Sequence, residues 1–146
     1  VRYLGLDVGD VRMGVALSDE TATLASGLLT LRRVGPRKDV KAVAALVREH
    51  GVGEVVVGMP YRLDGTLGPQ GEKVVALVEA LRRTLAIPVE TWDERLTSVA
   101  ADELLAEAGV RRRERKARID QAAATLILQG YLDARRSGTP RKEEAS

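Results

Sequence analysis

The chain has 146 residues, 45% hydrophobic and 30% charged, which suits one domain around one core. Cysteine is absent and His50 is the single histidine, so disulfides and thiolate metal sites are excluded and a His-based triad or zinc site is disfavoured. The net charge is only +2 and no apolar run approaches the roughly 20 residues that span a bilayer; Val-Arg-Tyr-Leu has no signal-peptide layout, and no membrane partner is expected.

The stretch Tyr3 to Asp19, YLGLDVGDVRMGVALSD, reads as a β-hairpin. Tyr3, Leu4, Leu6 and Val8 form an apolar strand with one carboxylate, Asp7, set between Leu6 and Val8, and a charge inside a buried strand is costly unless something pairs with it. Gly9-Asp10 supplies the turn, and Arg12 to Ser18 the second strand. Gly9 and Gly14 are spaced as in a phosphate loop, but Val15-Ala16 replaces Lys-Ser/Thr, and no GxGxxG is present.

Thr23 to Arg33 reads as a third strand, with Leu24, Leu28, Leu29 and Leu31 as its apolar positions. Gly35-Pro36 opens a helix that buries Val40, Val43, Ala44, Leu46 and Val47 and ends at His50-Gly51, where a cation suits the helix dipole. Glu54 to Met59 is a strand buried on both faces. Pro60 to Gly68 is a loop with a turn at Asp64-Gly65. Pro69 starts a second helix, with Val74, Leu77, Val78 and Leu81 inward, and Pro88 breaks it. Val89 to Asp93 is the fifth strand. Thr97 or Ser98 caps a third helix that ends at Gly109, a basic loop follows, and a last helix runs from about Arg118 to Arg136. Residues 1–136 form a single domain in this reading, and 137–146, charged and containing Pro, Gly and Ser, form a disordered tail. Hairpins followed by alternating helix and strand give an α/β fold: a mixed five-stranded sheet flanked by helices on both faces.

Three carboxylates follow or interrupt apolar elements. Asp7 is the first. The second lies in Val89-Glu90-Thr91-Trp92-Asp93-Glu94-Arg95, where period-2 alternation puts Asp93 and Glu94 on opposite faces without choosing between them. The third is Asp120, whose helical face carries Ala123, Ala124, Ile127 and Tyr131. Like charges gathered at one sheet end repel unless a cation sits among them. Hard divalent cations take carboxylate oxygens, and a pair of such ions supports phosphodiester cleavage. GVRRRERKAR, from Gly109 to Arg118, leads directly into Asp120 and carries Arg111, Arg112, Arg113, Arg115, Lys116 and Arg118 against Glu114 alone. Arginine forks suit phosphate oxygens. Aromatic residues are 3% and Phe is absent, so binding by base stacking is disfavoured and binding should be dominated by phosphate contacts.

The segments GLDVGDVRMGVALSD, VVVGMPYRLDGTLGPQG, DERLTS and KARIDQAAATLILQGYL together resemble the YqgF/RuvX family, the pre-16S rRNA nuclease and Holliday-junction-resolvase-like proteins. The resemblance spans Tyr3 to about Leu132. It implies an RNase H-like fold with the first three strands antiparallel, a cytoplasmic location, and metal-dependent nuclease chemistry with Mg²⁺ or Mn²⁺, two ions in number. It selects Glu94 over Asp93, so that the implied catalytic and metal-binding set is Asp7, Glu94 and Asp120. Arg12 and Arg95 join the basic segment as nucleic-acid-binding residues. The implied substrate is structured RNA, with 5′ processing of pre-16S rRNA and association with a ribosome precursor, and the implied state is a monomer or weak homodimer. Resolvases of the RuvC type carry an acid at the end of the fourth strand, where this chain has Gly58-Met59-Pro60, and another three residues after the helix Asp, where it has Ala123. The alternatives are a DNA junction resolvase and a nucleic-acid-binding module with little or no catalysis.

Overall fold

The computed structural model describes residues 1–96 and 112–136, with the backbone alone at Leu96 and at 112–120. The expected helix between Thr97 and Gly109 and the expected tail at 137–146 lie outside the described residues. The strands are β1 (Arg2–Val8), β2 (Arg12–Ser18), β3 (Ala25–Arg32), β4 (Val52–Met59) and β5 (Val89–Asp93). The helices are α1 (Pro36–His50), α2 (Pro69–Thr84) and α3 (Arg112–Arg136), and a single 3₁₀ turn, Glu94–Leu96, follows β5. The sheet order is β3-β2-β1-β4-β5. β1 pairs antiparallel with β2, β2 antiparallel with β3, and β4 runs parallel to both β1 and β5.

Strand alternation assigns the two faces. Leu4, Leu6 and Val8 of β1, Val55, Val57 and Met59 of β4, and Val89 of β5 point into one core, closed by Val40, Val43 and Leu46 of α1 and Val74, Leu77, Val78 and Leu81 of α2. Tyr3, Ala16 and Val56 point to the other face, where α3 buries Ala124, Ile127, Leu128, Tyr131 and Leu132. Helices therefore cover both faces, as the sequence pattern implies. α1 begins at Gly35-Pro36 and ends at Gly51, whose left-handed backbone (φ 62°) closes the helix by donating to the Val47 carbonyl.

Three boundaries differ from the sequence reading. β3 starts at Ala25, and Leu24 is 67% exposed. The Asp19 carboxylate accepts from the Thr23 and Leu24 N–H groups, at 2.8 and 3.1 Å, which removes those donors from a ladder. The Thr21 hydroxyl and these N–H groups draw the Asp19 carboxyl down to about 2. α2 ends at Thr84, before Pro88, with Leu85 extended. The last helix starts at Arg112, so the segment Arg112–Arg118 is helix and not loop. Arg, Glu, Lys and Ala are strong helix formers, and no Gly or Pro interrupts them there.

α3 crosses β1 in close contact. A Cβ on Gly5 would lie 2.8 Å from Leu128 Cβ and 3.1 Å from the Ala124 carbonyl oxygen, both parts of the helix wall that cannot swing aside. Gly5→Ala is therefore expected to destabilise the protein by about 1–3 kcal/mol, the usual cost of overpacking. Urea unfolding checks this, and an unchanged midpoint would show that the helix lifts off β1 without cost.

Candidate active site

The face of the sheet under α3 carries the candidate acids. Alternation from Tyr3 and Gly5 brings Asp7 to that face at the last turn of β1, and alternation from Trp92 brings Glu94 to it just beyond β5. Asp7 lies opposite Gly14 of β2. On its other side β4 presents Gly58, which pairs with Trp92. Glycine at both of these positions means that neither flanking strand sends a side chain into the space around Asp7. Gly58 also makes room for the second acid: a Cβ there would stand 2.7 Å from Glu94 Oε2 and 2.5 Å from Ile127 Cδ1 of α3.

The half-buried Asp7 and Glu94 carboxyls are hydrogen-bonded to each other. Two carboxyls can share such a bond only when one proton lies between them. Burial pushes Glu94 above the ordinary carboxyl value; the hydrogen bond with Asp7 pulls it down and the nearby Asp93 charge pushes it up, and the upward effects win.

Asp93, the other acid left open by alternation, takes no part in this pair. It forms an ion pair with Arg95 at 2.5 Å. Arg95 lies with its guanidinium 5.6 Å from the centre of the Tyr61 ring and reaches the Arg62 carbonyl at 3.4 Å, which ties the 60–68 loop to Asp93, the residue before Glu94. That loop is ordered around its Asp64-Gly65 turn, with Arg62 N–H donating to the Thr66 carbonyl and Gly65 at φ 85°. Arg12 opens β2 beyond the turn that follows Asp7.

Asp120 lies in α3, and its side chain is outside the described ones, as are those of Arg112, Arg113, Arg115, Lys116 and Arg118; Arg111 lies outside the described residues altogether. The backbone still places residue 120. Tyr131 packs near Tyr3 and Glu54 at the start of β1 and β4, Leu128 and Ala124 lie over Gly5, and Ile127 lies over Gly58. The helix thus runs opposite to β1, and position 120 falls toward the Asp7 end, one turn before the buried Ala123 and Ala124. Among the described side chains no group of three carboxylate or imidazole ligands is assembled.

Sequence reasoning missed the residues that hold the turn after Asp7. Gln70 of α2 donates from Nε2 to the Val8 carbonyl at 3.0 Å, Arg33 donates from Nη1 to the Gly9 carbonyl at 2.6 Å, and Lys73 faces Asp10 at 3.4 Å. Arg33 is itself anchored on the buried Asp39 at 2.8 Å. Burial alone would raise the Asp39 carboxyl, but Arg33 and the Val34 and Gly35 N–H groups outweigh it and hold it low. Gln70 stands in the PQG segment, yet periodicity does not mark it, because its partner is a backbone carbonyl far away in the chain.

A five-stranded sheet in the order 3-2-1-4-5 with an acid pair under the last helix defines an RNase H-like protein. Solved structures share this fold: Thermus thermophilus RuvC in complex with a Holliday junction substrate (TM-score 0.60, 17% identity, covering 95% of this chain and 98% of that one), and the fowlpox virus Holliday junction resolvase (TM-score 0.57, 11% identity, 92% and 99%). The chain belongs to the RuvX family, whose model, described as a Holliday junction resolvase, matches residues 1–134. Similar proteins carry the name "Putative pre-16S rRNA nuclease". That of Moorella thermoacetica is 51% identical over 133 residues, covering 91% of this chain and 95% of the relative. That of Clostridioides difficile is 50% identical over 132 residues, covering 90% and 94%.

The raised Glu94 has a consequence for stability. A carboxyl whose pKa is higher in the folded than in the unfolded state binds its proton more tightly when folded. Its contribution is full below the unfolded value and falls as pH rises through the folded one. In buffer with EDTA, Glu94→Gln is expected to be more stable than the parent at pH 7, because the amide donates to Asp7 in the proton's place. The gap should narrow toward pH 4. Urea midpoints of the two proteins across this range check it, and a pH-independent gap contradicts it.

Proposed function

We propose that this chain is a metal-dependent nuclease that hydrolyses phosphodiesters of structured RNA, trimming the 5′ end of pre-16S rRNA in the cytoplasm. The observation that carries the reading is the Asp7–Glu94 pair, two carboxyls held against each other from the ends of β1 and β5, across β4, and partly removed from water. The names of the relatives supply the substrate class. Position 120 on the same end of the sheet supports Asp120 as the third acid.

The donor set fits a hard divalent cation. It consists of carboxylate oxygens, in a chain with no cysteine and a single histidine, and a cation there would offset the burial that raises the Glu94 carboxyl. Asp7, Glu94 and Asp120 would hold Mg²⁺ or Mn²⁺, two ions in our reading; bound there, the metal activates water and stabilises charge on the leaving oxygen. Arg12, Arg95 and the basic residues Arg111, Arg112, Arg113, Arg115, Lys116 and Arg118 bind phosphates and hold the strand across the acids.

Asp7→Asn is expected to abolish Mg²⁺- or Mn²⁺-dependent cleavage of a precursor rRNA while leaving the circular dichroism spectrum and most RNA binding intact. Cleavage at the parent rate would remove Asp7 from the chemistry and leave a binding module as the better description. A second reading, junction resolution on DNA, is favoured by the description of the family and by the fold neighbours. A four-way DNA junction run beside the RNA separates the two.

Replacing Arg111, Arg112 and Arg113 together with Ala should weaken binding regardless of sequence. Each lost phosphate contact should reduce the slope of log K against log salt by about 0.7–0.9. An unchanged slope in a salt titration would assign these arginines to solvent.

A further inference from the structure

Asp93 has a geometry that the acid-pair chemistry does not use. Its Oδ1 accepts from Arg95 Nε at 3.0 Å, and its Oδ2 accepts from Nε at 2.9 Å and Nη2 at 2.5 Å. This is the forked arrangement by which arginine takes the two free oxygens of a phosphodiester. The carboxylate is also fixed from its own backbone, because Arg95 N–H donates to Oδ1 at 3.0 Å. The guanidinium carbon lies over the Tyr61 ring, 5.6 Å from its centre, at cation–π distance. Asp93 and Arg95 are each about a third exposed, at 33% and 36%, so both reach solvent.

We propose that Asp93 is an internal stand-in for a substrate phosphate: it holds the Arg95 fork on Tyr61, next to Glu94, and yields it when a backbone phosphate of the nucleic acid arrives. The inference rests on the nuclease reading and deepens it by naming how one phosphate subsite is kept. Exchange is cheap. When Arg95 turns to a phosphate, Asp93 keeps the Arg95 N–H bond and regains water, so no buried charge is orphaned. Tyr61 keeps the guanidinium in place during the exchange, and the Arg62 carbonyl, at 3.4 Å from Nη1, limits its swing. Asp93 thereby acts as an internal competitor that a polyanionic strand displaces.

The test is a double-mutant cycle on binding, in EDTA so that no strand is cut, with a fluorescent RNA duplex as probe and a four-way DNA junction in parallel. The variants are Asp93→Asn, Arg95→Gln and the double variant. Asp93→Asn should tighten binding roughly two- to fivefold at low salt, the range expected for release of an exposed ion pair. That gain should vanish in the Arg95→Gln background. A gain that persists without Arg95 would mean that Asp93 acts only by its general negative charge, and the proposal falls. Weaker binding by Asp93→Asn would mean that Asp93 serves only to position Arg95, and the proposal falls equally. If the parent protein binds neither probe, the nuclease reading itself fails, a result distinct from either outcome of the cycle.

Discussion

A missing side chain at Gly58 links the packing of the last helix to the geometry of the site. The volume that a Cβ would take is filled from two directions, by Ile127 Cδ1 of α3 and by Glu94 Oε2. Helix and acid therefore close on the same spot of β4. A side chain on residue 58 would have to displace one or both, and interiors at native density have little room for that. Position 58 is therefore closed to any side chain while Ile127 and Glu94 keep their places. Gly5 plays the matching part on β1, under Leu128 and the Ala124 carbonyl.

The helix is held in one register along this face by polar contacts at both margins. Tyr131 donates to the buried Glu54 at 2.6 Å, packs edge-on against Trp92, and carries Arg135 over its ring. On the β3 side, Gln129 donates to the Thr23 carbonyl and accepts from Ala25 N–H, and Gln121 donates to the Thr30 hydroxyl. A slip by one residue would orphan the Glu54 carboxylate, which is costly in a buried setting. Register at Tyr131 thus governs where residue 120 falls, several turns away. A contact remote from the acids determines which end of the sheet receives the third one.

Much of this was legible in the sequence because the relevant signals are local. The apolar runs in YLGLDV and EVVVGM marked the central strands, and Gly-Pro openings marked both early helices. Three kinds of information were not local. The sequence alone left Asp93 and Glu94 open, because alternation states that they face opposite ways and not which face bears the site; the resemblance selected Glu94, and the structure adds the reason, since Trp92 packs under α3 and Glu94 follows it onto that face. The basic run suggested a loop because charge was read before propensity, whereas the helix formers from Arg112 onward carry the backbone into α3. The Asp39–Arg33–Gly9 and Gln70–Val8 links join residues to backbone carbonyls across the fold, and a carbonyl has no letter in the sequence.

Those links bear on how two carboxyls can be kept together at all. An acid pair gains nothing from its own proximity except through a shared proton or a cation, so the scaffold must hold it against repulsion. The scaffold does this through the backbone just beyond Asp7: the Val8 carbonyl is held by Gln70, and the Gly9 carbonyl by an Arg33 that is itself locked on buried Asp39. The exposed Lys73–Asp10 pair adds little, since ion pairs in water are weak. Glu94 is held differently, by the end of β5 and the space left at Gly58. One acid is fixed by hydrogen bonds to its strand end and the other by packing, so ionising the pair does not require either backbone to move. A site arranged in this way has already met the cost of gathering its charges in the folding of the sheet, which is the condition for electrostatic preorganisation.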